Sequence, residues 1–160
     1  MKRKVYLETS VISYLTSKPS KTILGAAHQQ ITQAWWESRY QYELLVSEVV
    51  LRECAAGDPL AAQKRMAAVA DIPLILIDET AITIALELVQ NGIVPVKAAE
   101  DALHIAIATV YGVDYLLTWN CRHIANPELQ RNIAAFLERK GLFLPFICTP
   151  EELLGEDHVD

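Results

Sequence analysis

Three cysteines, six glycines and no long apolar run set the first limits on this 160-residue chain. Cys54, Cys121 and Cys148 are far apart and form no CxxC pair, which argues against a zinc knuckle or a redox motif. Their odd number points to reduced thiols, and core packing is their expected role. None of the glycines falls in a GxGxxG or Walker A loop, so a doubly wound nucleotide or redox domain has no support. No apolar stretch reaches the roughly 18 residues that cross a bilayer. The basic start, Met1 to Val5, leads into an apolar segment broken at Glu8, without a signal-peptide core. A soluble, cytoplasmic protein is expected. Positive charge is scarce too: 14 Lys and Arg face 20 Asp and Glu, a net charge of −6. Unaided nucleic-acid binders draw on phosphate contacts and are usually basic. The acidity argues against strong unaided RNA binding. It leaves room for a nuclease, because a cation site is itself acidic, and a metal or a basic partner changes the local field.

What the sequence does have is apolar mass and alternation. Hydrophobic residues make up 52%, enough for one domain with a real core. Residues 1–155 are expected to form it, with Glu156 to Asp160 as a frayed tail. Short apolar strands are expected at Val5–Leu7, Leu44–Val46, Leu74–Ile77, Asp114–Leu117 and Phe146–Cys148. Helical spacing is expected over Thr22 to Tyr40, after Ser47, from Pro59 to Ala70, from Asp78 to Gln90, from Lys97 to Tyr111 and from Asn126 to Lys140, with a terminal turn at Pro150–Leu154. This alternation predicts a three-layer α/β/α fold around a mostly parallel five-stranded sheet. In such folds the site lies beyond the carboxyl ends of the strands. The polar residues there are Glu8-Thr9-Ser10, Ser47-Glu48 and Thr118-Trp119-Asn120.

Glu8 is costly at the end of a buried strand unless it is paired or binds a cation. The plainer reading makes it a helix cap or a partner of Arg3 or Lys4. Glu53 follows Ser47 by six residues on the next helix, where Glu48 points elsewhere. Asp101 and His104, three apart on an Ala-rich and largely buried helix, share a face. His104 is either a satisfied core histidine or a support for the carboxylates. Glu100 belongs on the helix rim. After the fourth strand, Thr118 and Asn120 offer neutral oxygens, Arg122 could meet phosphate, and His123 could be a ligand, a proton carrier or a loop residue.

Four segments in order resemble the motifs of PIN domains, and of VapC-type toxin ribonucleases in particular. They are Tyr6-Leu7-Glu8-Thr9-Ser10, Ser47 with Glu53, Asp101-Ala102-Leu103-His104-Ile105-Ala106, and Leu116-Leu117-Thr118-Trp119-Asn120 with Arg122-His123-Ile124 behind it. The resemblance implies a PIN-like fold and metal-dependent endoribonuclease activity with Mg²⁺ or Mn²⁺. It implies metal at Glu8, Glu53 and Asp101, with Asn120 completing the catalytic set. Thr9, Ser10, Ser47, His104, Thr118, Arg122 and His123 would support it. It further implies an RNA substrate cut to a 5′-phosphate and a 3′-hydroxyl, a protein antitoxin as partner, and a homodimer.

Two departures weaken the match. The first acid of the family is usually aspartate, and an error of roughly 1 Å in placing a reacting group costs about 100-fold in rate. The fourth motif often carries aspartates where this chain has Asn120 and His123, which lowers the negative charge offered to a metal; the expected result is weak affinity, a shift toward Mn²⁺ with His123 as a softer ligand, or lost activity. The competing expectation is therefore a weak or inactive PIN-like binding or regulatory module. Trp36, Tyr40, Tyr42 and Tyr14 suggest a partner surface, whereas Trp35 is expected in the core.

Overall fold

The computed structural model describes residues 1–155, so the expected tail, residues 156–160, lies outside the described residues. Five strands form one sheet: β1 (Arg3–Leu7), β2 (Tyr42–Ser47), β3 (Leu74–Ile75), β4 (Tyr115–Leu117) and β5 (Phe146–Cys148). Their order is β3-β2-β1-β4-β5 and every pairing is parallel. Val5, Tyr6, Leu7, Leu116 and Leu117 are fully buried, as expected where helices cover both faces.

The helices are α1 (Thr9–Thr16), α2 (Ile23–Glu37), α3 (Glu48–Ala55), α4 (Pro59–Val69), α5 (Glu79–Gln90), α6 (Ala99–Tyr111), α7 (Pro127–Glu138) and α8 (Pro150–Leu154). The chain steps outward from β1 to β3, then crosses to β4 on the other side. Right-handed crossovers therefore place α1–α4 on one face and α5–α7 on the other. The packing agrees: α1 contacts α2, α3 and α4, while α5 packs on α6. Among the described residues no helix is long and apolar enough to cross a membrane.

Local signals set most boundaries. Ser47 caps α3 by accepting from Val50 N, Asp58 caps α4 and Asp78 caps α5. Gly112 ends α6 at φ +78°, a conformation glycine adopts freely. Four expectations need correction. A helix, α1, forms directly after Glu8, where the sequence predicts no element. The helix expected from Thr22 to Tyr40 is Ile23–Glu37 followed by a 3₁₀ turn, Arg39–Gln41. The third strand stops at Ile75, because Ile77 N turns to donate to Glu48 Oε1 at 2.7 Å. Cys121 is exposed on the loop after β4; only Cys54 and Cys148 are buried. Burial pushes those two thiols up to about 11 and about 12.

The aromatic residues divide. Trp35 is fully buried, as expected. Trp36 is half-buried under the Arg39 guanidinium, 4.4 Å from its ring, and Tyr40 is 69% exposed. Tyr14 packs edge-on against His28 and Trp119, so it is part of the molecule's own packing.

Leu117 anchors the strand that delivers Thr118 to the crevice. Leu117→Ala should cost about 2–5 kcal/mol in denaturant unfolding, the usual range for a buried leucine; a loss under about 1 kcal/mol would show that the β1–β4 junction is loosely packed.

Candidate metal centre at the sheet switch point

Chain direction across the sheet reverses between β1 and β4, which defines the switch point where α/β folds bind ligands. Register brings the strand ends together there: Leu7 lies opposite Leu117, and Glu8 N donates to Leu117 O at 3.0 Å. Glu8 and Thr118 are consequently side by side.

Glu8 is 6% exposed. Its Oε1 accepts from Thr118 Oγ1 at 2.6 Å and from Ser10 Oγ in a very short bond. Ser10 Oγ also accepts from Trp119 N at 2.8 Å, and Thr118 Oγ1 from Asn120 N at 2.9 Å. These bonds tie the loop after β4 to the start of α1. The plainer readings of Glu8 do not hold. It stands at the N-cap of α1 but its side chain makes no cap hydrogen bond. Arg3 pairs instead with Asp114, and the Lys4 ammonium lies over the Tyr111 ring, 5.4 Å from its centroid.

Glu53 reaches the crevice from α3. Its Oε1 accepts from Thr9 Oγ1 at 2.6 Å and lies 2.7 Å from His104 Nε2. His104 is wholly buried on α6, and its Nδ1 is 2.6 Å from the Tyr6 hydroxyl, itself 2.7 Å from Ser47 Oγ. Among the described residues, ligand atoms of Glu8, Glu53 and His104 lie within 4.8 Å of one another.

Asp101 stands beside this group and not in it. Its Oδ2 is 3.3 Å from His123 Nδ1, with both side chains about one-fifth exposed (20% and 19%). Asn120 Oδ1 accepts from His123 N at 3.0 Å, which fixes the loop. Arg122 is exposed and makes no ion pair among the described residues. Glu48 is spent on Ile77 N, and Glu100 is exposed and paired with Arg52 at 2.8 Å.

Protonation follows this geometry. Burial opposes charge on Glu53, yet the His104 hydrogen bond and charge, with Thr9, outweigh it and hold Glu53 below the ordinary carboxylate range. Burial likewise opposes the His104 cation, but Glu53, Glu8 and Asp101 overcome it and the imidazole is raised. Burial and the Glu8 charge raise Asp101, against the lowering effect of His104 and His123.

Tyr6 is the member that sequence reasoning missed. Its signal was present: a tyrosine on a fully buried strand needs a hydroxyl partner, and alternation places it on the same side of β1 as Glu8.

No family model matches the sequence, and no curated protein does. The structure, however, is similar to a chain of VapBC2 from Rickettsia felis, crystallised bound to a DNA fragment from their promoter. The TM-score is 0.58 at 14% identity, over 91% of this chain and 98% of that chain. The fold is PIN-like. At that identity the likeness speaks for the fold, and the site rests on its own geometry.

The Glu53–His104 pair should leave a mark on stability. A lowered Glu53 contributes above its ordinary value of 4.5 and is lost in acid; a raised His104 contributes below 6.5 and is lost in alkali. Glu53→Gln should therefore lose most stability relative to the native chain between those two values, and the gap should narrow at high pH. A gap that widens steadily to pH 9 in denaturant titrations would contradict the pairing.

Proposed function

We propose that the chain is a metal-dependent endoribonuclease of the PIN type, with Mg²⁺ or Mn²⁺ held by Glu8, Glu53 and Asp101. The observation that carries this reading is Glu8. It is a carboxylate 6% exposed at the switch point, close to a second carboxylate, and no Lys or Arg pairs with it among the described residues. A buried carboxylate held by hydroxyls, with no Lys or Arg beside it, is still costly, and a divalent cation offsets that cost.

The donor set fits such an ion. Glu8 and Glu53 each concentrate their hydrogen bonds on Oε1, and Asp101 turns Oδ2 to His123. Glu8 thus keeps one oxygen clear of hydrogen bonds among the described residues. Mg²⁺ takes oxygen ligands, retains waters and is commonly held by one or two carboxylates. A bound cation would activate water and neutralise charge developing on the phosphoryl group.

The chain's own residues do the remaining work in this reading. Ser10 and Thr118 fix Glu8, Thr9 and His104 fix Glu53, and Ser47 supports that set through Tyr6. Asn120 and His123 shape the lip beside Asp101, and Arg122 is free to meet phosphate. The net charge of −6 makes a basic protein partner useful for approaching RNA. We infer an antitoxin in that place, by analogy with the VapBC2 complex, and a homodimer as the assembly.

The test is cleavage of structured RNA with Mg²⁺, with Mn²⁺ and with EDTA. Cutting is expected with metal and not with EDTA, and Asp101→Asn should reduce it by more than about 100-fold, the upper end for losing an outer-shell partner alone. Absence of cutting across metals and RNAs would favour the alternative, a PIN-like binding module without catalysis.

A further inference from the structure

His104 contributes a ring nitrogen to the group of ligand atoms within 4.8 Å of one another, so distance alone would admit it as a metal ligand. Its hydrogen bonds say otherwise. The Tyr6 hydroxyl lies 2.6 Å from Nδ1 and 2.7 Å from Ser47 Oγ, and Ser47 Oγ accepts from Val50 N at 3.3 Å. On the other side of the ring, Nε2 is 2.7 Å from Glu53 Oε1.

A phenol has one proton to give and can also accept, while a neutral imidazole has one N–H and one bare nitrogen. Two proton arrangements satisfy the whole chain. In one, Ser47 donates to Tyr6 and Tyr6 donates to Nδ1, so the ring's only proton is on Nε2. In the other, a doubly protonated ring donates from Nδ1 to Tyr6, and Tyr6 donates to Ser47. Both leave a proton on Nε2, aimed at Glu53. The third arrangement, a neutral ring protonated on Nδ1, sets a bare Nε2 against a carboxylate oxygen, acceptor facing acceptor, and is disfavoured.

We propose that Tyr6 is a positioning residue whose hydroxyl keeps the His104 Nε2–H on Glu53, so that His104 braces a cation-holding carboxylate and does not bind the cation itself. The proposal rests on the metal-site reading above. Its chemical consequence is that the tight group offers carboxylate oxygens and no imidazole from His104, which suits Mg²⁺ and Mn²⁺ and disfavours ions that seek imidazole, such as Zn²⁺.

The experiment has two arms. In the native chain, ¹⁵N NMR of the histidine ring nitrogens, recorded where the ring is neutral, should find the His104 proton on Nε2 and a bare, hydrogen-bonded Nδ1. A proton on Nδ1 would overturn the proposal. In the second arm, Mn²⁺ and Zn²⁺ are titrated calorimetrically into native protein and Tyr6→Phe. Without the hydroxyl, the ratio of Zn²⁺ to Mn²⁺ affinity should rise by about tenfold, the lower end for an outer-shell partner. An unchanged ratio in folded Tyr6→Phe would overturn it; should that variant not fold, the native-chain spectrum decides. Failure of Mn²⁺ to bind the native chain removes the metal-site reading and the brace's purpose with it. Binding with the proton on Nδ1 overturns the brace alone.

Discussion

A carboxylate buried at the end of the central strand is the constraint around which this molecule is arranged. Glu8 is 6% exposed, and removing a charge from water is costly unless something replaces the lost hydration. The chain supplies two hydroxyls, Ser10 and Thr118, both on one oxygen. They arrive from opposite directions in sequence: Ser10 from the helix that β1 feeds, Thr118 from the far end of β4. The parallel register of β1 with β4 lines them up. The switch-point topology is thus what makes Glu8 tolerable, and Glu8 in turn binds the two halves of the sheet at that point.

Around it the polar groups form a connected set. One branch runs from Ser47 through Tyr6 and His104 to Glu53, joining β2, β1, α6 and α3. The other runs from Ser10 and Thr118 into the loop that carries Asn120 and His123. Buried polar groups of this kind are favourable when each has a partner and costly when one is left out. The first branch lowers Glu53 and raises His104, so the two charges support each other. Asp101 is relieved less: burial and the charge of Glu8 raise it, and His104 and His123 offset that only in part. The centre is therefore rich in negative charge that the protein only partly balances, which is the electrostatic signature of a place for a cation.

Much of this was legible in the sequence, for physical reasons that vary by residue. Glu8, Ser47 and Thr118 are polar residues following short apolar runs, and a parallel sheet sends such residues to one edge. Asp101 and His104 share a face because they are three apart on a helix too apolar to be exposed. Helix α1 was not legible. Thr9–Thr16 carries Val11 and Ile12 and more than one hydroxyl residue, which lower helix propensity; packing on α2, α3 and α4 decides its conformation. Tyr6 was on the right face, yet its partners lie 41 and 98 residues away in sequence, beyond any local pattern. The same holds for the replacement of Asp101 by His104 within the tight group: spacing gives a shared face but not which side chain leans toward Glu53. Cys121 was misread because composition gives an average burial, and position in a loop overrides it.

The central claim is that a divalent cation belongs between the carboxylates at the switch point. Anomalous diffraction from crystals soaked in Mn²⁺ tests it most directly. The account predicts one strong peak bonded to carboxylate oxygens of Glu8, Glu53 and Asp101, with His104 still hydrogen-bonded to Glu53 and at no bonding distance from the ion. A crevice without a peak at saturating Mn²⁺, or a peak seated only on surface carboxylates such as Glu100, would contradict it.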